Sequence, residues 1–98
     1  MTIGQVIKTQ RMKRRLSQAD LANELGLSQG YLSQIECGSK KPSMELCADF
    51  SYFFGIPQGV FFFMTIEESQ IHPDSLALYK QQMPSFMDFL SKLKFVIE

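Results

Sequence analysis

Two short apolar helical patterns, separated by a single glycine, occupy residues 18–35, and they constrain the fold more than any other feature. Each pattern places three apolar side chains on one helical face, at positions i, i+1 and i+4. These side chains are Leu21, Ala22 and Leu25 in the first pattern and Tyr31, Leu32 and Ile35 in the second. Gly26 between them can adopt the left-handed conformation that ends a helix and turns the chain. Two such short helices should cross at a large angle, which leaves one of them exposed.

Start and stop signals support both helices. Ser17 and Ser28 precede the two patterns, and their hydroxyl groups can accept from the unpaired N–H groups of a first helical turn. Gly38 is predicted to end the second helix. The sequence therefore predicts a helix-turn-helix.

Three further helices are predicted around this unit. Ile3, Ile7 and the aliphatic stem of Arg11 lie at i, i+4 and i+8 on a first helix. A fourth helix, capped by Ser43, ends at Gly55, and its core-facing positions are predicted to be Met44, Cys47, Phe50, Ser51 and Phe54. A short fifth helix runs from Pro57 to about Phe62. The predicted fold class is all-α, a five-helix bundle, whose core comprises Ile3, Ile7, Leu16, Leu21, Ala22, Leu25, Leu27, Leu32, Ile35, Cys47, Phe50, Phe54, Ile56 and Phe61.

The helix-turn-helix resembles that of the lambda-repressor and Cro-type (Xre) family of transcriptional regulators. The matching residues are Gln18, Ala22, Gly26, Leu32 and Ile35. The resemblance extends over about residues 3–62 and includes the stretch IECGSKKPSMELC. It implies a lambda-repressor-like DNA-binding domain over residues 1–64, and it does not cover the chain beyond about Thr65.

The resemblance also implies a structural role for one pair of opposite charges. In the family, an arginine at the position of Arg11 pairs with a glutamate at the position of Glu36, at the end of the second helix of the motif. We expect this pair to be a partly buried structural ion pair, not a DNA contact.

If the second helix of the motif enters the major groove, its exposed side chains can reach base edges. The predicted base-reading residues are Gln29, Gly30, Ser33 and Gln34. Glutamine amides can both donate to and accept from adenine, so Gln29 and Gln34 are the expected specificity residues. Predicted phosphate contacts come from Gln18, Ser28, Lys40 and Lys41, and from Tyr31 if it does not lie at the rim of the core. Arg14 and Arg15 belong to a charge run at a helix end, where side chains are usually solvated.

The distribution of charge agrees with a nucleic-acid face, although the formal net charge of the chain is zero. Residues 1–64 contain seven Lys and Arg against five acids, a net charge of +2. The remainder contains three bases and five acids, a net charge of −2. One basic and one acidic region fit a DNA-binding face and a second, different face.

Residues 65–98 are predicted to be a C-terminal helical segment for dimerisation or partner binding. After a polar connector, the region around Leu76 to Tyr79 suggests a short helix, and Pro84 marks either a new start or a kink. An apolar stripe follows, which predicts dimerisation through Phe86, Phe89, Leu90, Leu93, Val96 and Ile97. The stripe could instead pack on its own bundle, against Phe61, Phe62 and Phe63.

Catalysis and metal binding are not expected. The chain has no Ser/His/Asp set, no phosphate-binding glycine loop and a single histidine, His72, in a predicted turn. Cys37 and Cys47 lack metal-ligand spacing, so we expect no cofactor, no metal and a reduced, cytoplasmic protein. No signal-peptide or membrane-spanning run is present, so no membrane partner is expected.

The predicted function is sequence-specific binding of double-stranded DNA by a transcriptional regulator, expected to be a repressor. A homodimer should recognise a near-palindromic operator with half-sites roughly 34 Å apart. The alternative is an antitoxin-type protein whose C-terminal segment binds a partner protein while the helix-turn-helix controls its own operator. A small ligand acting through the Phe- and Met-rich tail also remains open.

Overall fold

The computed structural model describes residues 2–93, and this part of the chain contains α-helices and 3-10 turns but no strand. The all-α prediction is therefore confirmed. Two 3-10 turns, Glu68–Gln70 and Pro73–Ser75, lie between the last two helices. The α-helices are α1 (Ile3–Lys13), α2 (Gln18–Glu24), α3 (Gln29–Glu36), α4 (Met44–Phe54), α5 (Gln58–Phe63) and α6 (Leu76–Lys92).

Local signals set the beginnings and ends of these helices as predicted. The serines before α2, α3 and α4 each accept a hydrogen bond from a backbone N–H three residues ahead, and they are Ser17, Ser28 and Ser43. Gly26 and Gly55 adopt left-handed φ values of 68° and 72° after α2 and α4. Pro57 is the N-cap of α5 and not its first residue, a shift of one position from the prediction.

Helices α1 to α5 enclose the core, which contains nearly all of the fully buried apolar side chains. Those with no exposed surface include Leu21, Leu32, Ile35, Phe50 and Phe61. The predicted core residues Ile3, Leu16, Leu25 and Leu27 are only half-buried. The prediction for Met44 is wrong, because this first residue of α4 is 67% exposed. Leu46, two positions later, is buried in its place, and the buried Val6 and Met64 were also missed.

Helix α1 lies unusually close to the end of α3. A Cβ atom on Gly4 would lie 2.2 Å from the carbonyl oxygen of Ile35 and 2.8 Å from that of Glu36. Real Cβ atoms do not approach backbone oxygens so closely, so the packing requires glycine at this position. This contact fixes α1 against the C-terminal end of α3.

Arg14 departs from the expectation of a solvated charge run. One of its Nη atoms donates to the Gln10 carbonyl at 2.8 Å, and the other donates to the Phe54 carbonyl at the end of α4. Its guanidinium carbon also lies 4.8 Å from the centre of the Phe54 ring. Burial lowers the pKa of Arg14 from its ordinary value. This side chain therefore joins the C-terminal ends of α1 and α4.

The C-terminal segment forms one helix from Leu76 to Lys92, and Pro84 lies inside it. Part of α6 packs on the bundle: the ring centres of Phe86 and Phe63 are 4.9 Å apart, and Met87 packs against the core. The Tyr79 hydroxyl donates to the Ile66 carbonyl at 3.0 Å. The predicted contact of this segment with Phe63 is thus present in a single chain.

Candidate nucleic-acid interface

Helix α3 has two chemically different faces. Leu32 and Ile35 are completely buried, so they fix the rotation of the helix about its own axis. All four predicted base-reading residues are exposed, and they are Gln29, Gly30, Ser33 and Gln34. Two of the four carry amides, which can form bidentate hydrogen bonds with a base edge.

Gly30 has no packing role within the described part of the chain. A Cβ atom at this position would meet nothing within 4 Å. Glycine in the interior of a helix costs about 1 kcal/mol relative to alanine. Among the described residues no neighbour therefore requires this glycine, and it lies on the exposed face of α3.

The N-terminal end of α3 offers donors. Ser28 Oγ accepts from the Tyr31 N–H at 3.1 Å, which leaves the Ser28 hydroxyl proton for another acceptor. Tyr31 itself is half-buried and packs against the core, so it lies at the rim of the bundle next to this cap.

The basic loop after α3 is tied back to the helix. The Lys40 N–H and the Ser39 hydroxyl both donate to the Gln34 carbonyl, each at 3.2 Å. The side chains of Lys40 and Lys41 are exposed, and neither forms an ion pair within residues 2–93. The loop thus holds two uncompensated ammonium groups beside the C-terminal end of α3.

The two cysteines have opposite environments. Cys37 is exposed in the same loop, and a hydrogen bond with the Ser39 side chain lowers the pKa of its thiol. Cys47 is buried in the core, and burial raises the pKa of its thiol. Cys47 therefore has the core position that the sequence predicted.

A buried network connects α1, α2 and α3. Arg11 Nε donates to Glu36 Oε2 at 2.8 Å, and Arg11 Nη2 donates to Glu36 Oε1 at 3.0 Å. Only 11% of the Arg11 side chain and 3% of the Glu36 side chain are exposed. The structure therefore contains the ion pair that the family resemblance implies. Sequence reasoning missed a third member: Gln18 Nε2 donates to Glu36 Oε1 at 3.1 Å.

The predicted dimerisation residues are only partly described. Phe86, Phe89 and Leu93 are 39%, 56% and 40% exposed. Val96, Ile97 and the side chain of Leu90 lie outside the described residues. Exposed apolar side chains are therefore present near the C-terminal end of α6, although Phe86 also contacts the bundle.

A cleft of about 340 Å³ lies where α6 meets the end of the bundle. Most of its lining is apolar, with Glu68 and Lys80 also present, and the apolar residues are Met64, Tyr79, Met83, Pro84 and Met87. Within residues 2–93 there is no cluster of three or more potential metal ligands. No helix in this part of the chain has the length and hydrophobicity needed to span a membrane.

Comparisons with known proteins agree with this geometry. A family model described as helix-turn-helix (HTH_3) matches residues 7–57, more than half of the 98-residue chain. An immunity repressor protein of Bacillus phage phi105 is 46% identical over 44 residues, which cover 45% of this chain and 31% of that relative. The match thus spans about a third of the length of the curated relative.

The structural similarity extends beyond residues 7–57, which the family model matches. A solved complex of the SinR protein with the SinI protein contains a chain that is 24% identical, with a TM-score of 0.57. The alignment covers 92% of each chain. A known fold therefore accounts for the arrangement of the bundle together with a C-terminal helical region.

Proposed function

This chain belongs to the Xre/Cro/C1-type helix-turn-helix family, and from that premise we propose that it is a DNA-binding transcription regulator, a repressor that reads its operator with α3. The relative that shares the motif is named an immunity repressor, which supports repression over activation. In the proposed mechanism α3 lies in the major groove and blocks transcription by occupying the operator.

One observation carries this proposal: the two faces of α3. Its buried residues are apolar or paired, whereas Gln29, Ser33 and Gln34 are exposed with their polar groups turned away from the core. Each good bidentate contact between an amide and a base contributes roughly 1–3 kcal/mol of discrimination. Gly30 on the same face removes a side chain where the backbone would approach the base edges.

Phosphate contacts position this helix in the proposed complex. Ser28 donates its free hydroxyl proton at one end of α3, and Lys40 and Lys41 provide positive charge at the other. Gln18 provides an amide N–H from the start of α2. Because these groups flank α3 on both sides, they would fix its register along the duplex.

The finer form of the proposal is a homodimer on a near-palindromic operator. A single module of this size makes few base contacts, and pairing two modules across a two-fold axis doubles them. Two exposed apolar residues, Phe89 in the last turn of α6 and Leu93 directly after the helix, are the proposed contact between the two chains. Apolar side chains with 56% and 40% exposure are stabilised when a second chain covers them.

Selection of bound duplexes from a random pool tests the proposal. We expect a near-palindrome whose half-sites lie roughly 34 Å, or one helical turn, apart. The salt dependence of binding to the selected duplex gives an independent check: Lys40→Ala with Lys41→Ala should reduce the slope of log K against log salt by about 2 for each bound chain, or about 4 for the homodimer. Absence of any enriched sequence together with absence of binding at low salt would contradict the DNA mechanism.

A second function is a partner-controlled regulator, in which α6 binds another protein. The solved structure with a similar fold is a complex of two proteins, SinR and SinI, and the exposed apolar part of α6 offers a surface for such a contact. An antitoxin is one form of this function. An adjacent gene for a small toxin, and a complex of this chain with its product, would favour the antitoxin over the simple homodimeric repressor.

A further inference from the structure

We infer that Glu36 is a positioning residue for DNA binding: its buried carboxylate orients the Gln18 amide so that the second N–H of that amide points to a DNA phosphate. This inference rests on the proposed function, because it concerns one phosphate contact within it. In this inference the Arg11–Glu36 ion pair contributes to DNA binding as well as to the stability of the bundle.

The hydrogen-bond network runs from a buried ion pair to a half-buried glutamine. Arg11 occupies both oxygens of Glu36, and Oε1 also accepts from Gln18 Nε2. The ion pair is almost completely buried, whereas Gln18 is half-buried at the first position of α2. Gln18 is therefore the member through which the network reaches the surface.

The chemistry of the amide allows one bond inward and one outward. A glutamine amide nitrogen carries two N–H groups. One is directed to Glu36, and among the described residues no protein acceptor engages the other. Phosphate oxygens are acceptors only, so the second N–H is the group that can bind them.

The carboxylate also reduces the entropy lost on binding. A free glutamine side chain loses conformational entropy when it is fixed in one orientation. In this chain the hydrogen bond to Glu36 already fixes the Gln18 amide in the DNA-free protein. The charge of Arg11 compensates that of Glu36, so no net negative charge lies behind the phosphate contact.

A four-variant cycle separates positioning from stability. Replacing the ion pair with Arg11→Met and Glu36→Met removes the acceptor of Gln18 without changing the net charge, and apolar replacements of buried ion pairs of similar volume are often tolerated. Gln18→Ala is then measured in the original chain and in the Met/Met chain, on the operator selected from the random pool, with circular dichroism to verify folding.

We expect Gln18→Ala to weaken operator binding by roughly tenfold in the original chain and by less than about threefold in the Met/Met chain. Placing one neutral methylphosphonate at the contacted phosphate of each half-site should produce the same loss, and that loss should disappear in the Gln18→Ala chain. A purely structural role of Glu36 would instead give the same factor for Gln18→Ala in both chains, which would overturn the inference.

Gln18→Asn keeps the test valid if the Met/Met chain does not fold. Asparagine retains the amide but is one methylene shorter, so it cannot contact Glu36 and a phosphate together. We expect Gln18→Asn to weaken operator binding as much as Gln18→Ala does, whereas binding equal to that of the original chain would overturn the inference. Gln58→Ala, at the exposed first position of α5, is the matched control and should leave binding unchanged.

The two possible failures are distinguishable. If the original chain binds no DNA, the proposed function itself fails. If the original chain binds its operator but Gln18→Ala has equal effects in both chains, only the positioning role of Glu36 fails.

Discussion

The bundle from α1 to α5 and the C-terminal helix α6 differ in how completely their side chains are buried and paired. In the bundle, side chains cap the N-terminal ends of α2, α3 and α4, and Arg11 and Glu36 are buried as an ion pair. Helix α6 contains a proline, and Phe89 in its last turn and Leu93 directly after it are 56% and 40% exposed. The bundle satisfies its groups internally, whereas α6 leaves apolar surface uncovered.

This difference indicates that burial of side chains has a different consequence in each region. Burial in the bundle fixes α3 so that its polar face has one orientation toward DNA. The partial packing of α6 through Phe86 and Met87 holds that helix on the bundle while Phe89 and Leu93 remain available to another chain. The following variants test whether stability and assembly are separated in this way.

The largest effect on stability is expected for Arg11→Met. Removal of one member of a buried ion pair leaves the other charge uncompensated and typically costs about 3–5 kcal/mol. Urea unfolding should show this loss in the free energy of unfolding. Lys8→Met is the matched control, because Lys8 is an exposed base on the same helix, and its effect should be within about 0.5 kcal/mol. Equal effects of the two variants would show that the pair does not stabilise the bundle.

The next largest effect is expected on assembly. Phe89→Glu with Leu93→Glu should weaken the homodimer by at least about 3 kcal/mol, or roughly a hundredfold, because burial of each side chain contributes about 1.5–3 kcal/mol. Sedimentation equilibrium measures this change. Gln81→Glu with Ser85→Glu adds the same charge at exposed polar positions of α6 and should leave the dimer intact. A dimer that survives the first pair of substitutions would place the interface elsewhere.

Two glycines should respond to alanine with opposite signs. Gly4→Ala should lower the free energy of unfolding by about 1–3 kcal/mol or more, because the new Cβ meets backbone oxygens of α3. Gly30→Ala should raise it by about 1 kcal/mol, because the new Cβ meets nothing and alanine favours helix. Thermal unfolding of the two variants beside the original chain provides the measurement, and a loss of stability in both would contradict the free space around Gly30.

The sequence predicts those features of the bundle that depend on neighbours along the chain. Ser17, Ser28 and Ser43 cap helices, and Gly26 ends one, because these residues act within a single turn. The placement of Met44 in the core failed although the rest of the predicted face of α4 is buried, because Met44 is the first residue of the helix and Leu46, four positions before Phe50, occupies that end of the core.

Features that depend on contacts between distant parts of the chain could not be predicted from the sequence. Gly4 looks like an ordinary helical residue until α3 is placed against it, and Arg14 looks solvated until the end of α4 provides a carbonyl. The bond from Gln18 to Glu36 likewise joins residues of different helices, and no local spacing predicts it. For the candidate site, the exposed face of α3 could be inferred because the apolar residues Leu32 and Ile35 mark its buried face.

The central claim, that the exposed face of α3 reads base edges, is tested most directly by Gln34→Ala. Binding is measured on the selected operator and on an unrelated duplex of equal length, at one salt concentration. We predict a loss of about 1–3 kcal/mol per half-site on the operator and no change on the unrelated duplex, because only base contacts distinguish the two. Equal losses on both duplexes, or an unchanged affinity for the operator, would contradict the assignment of this face to base reading.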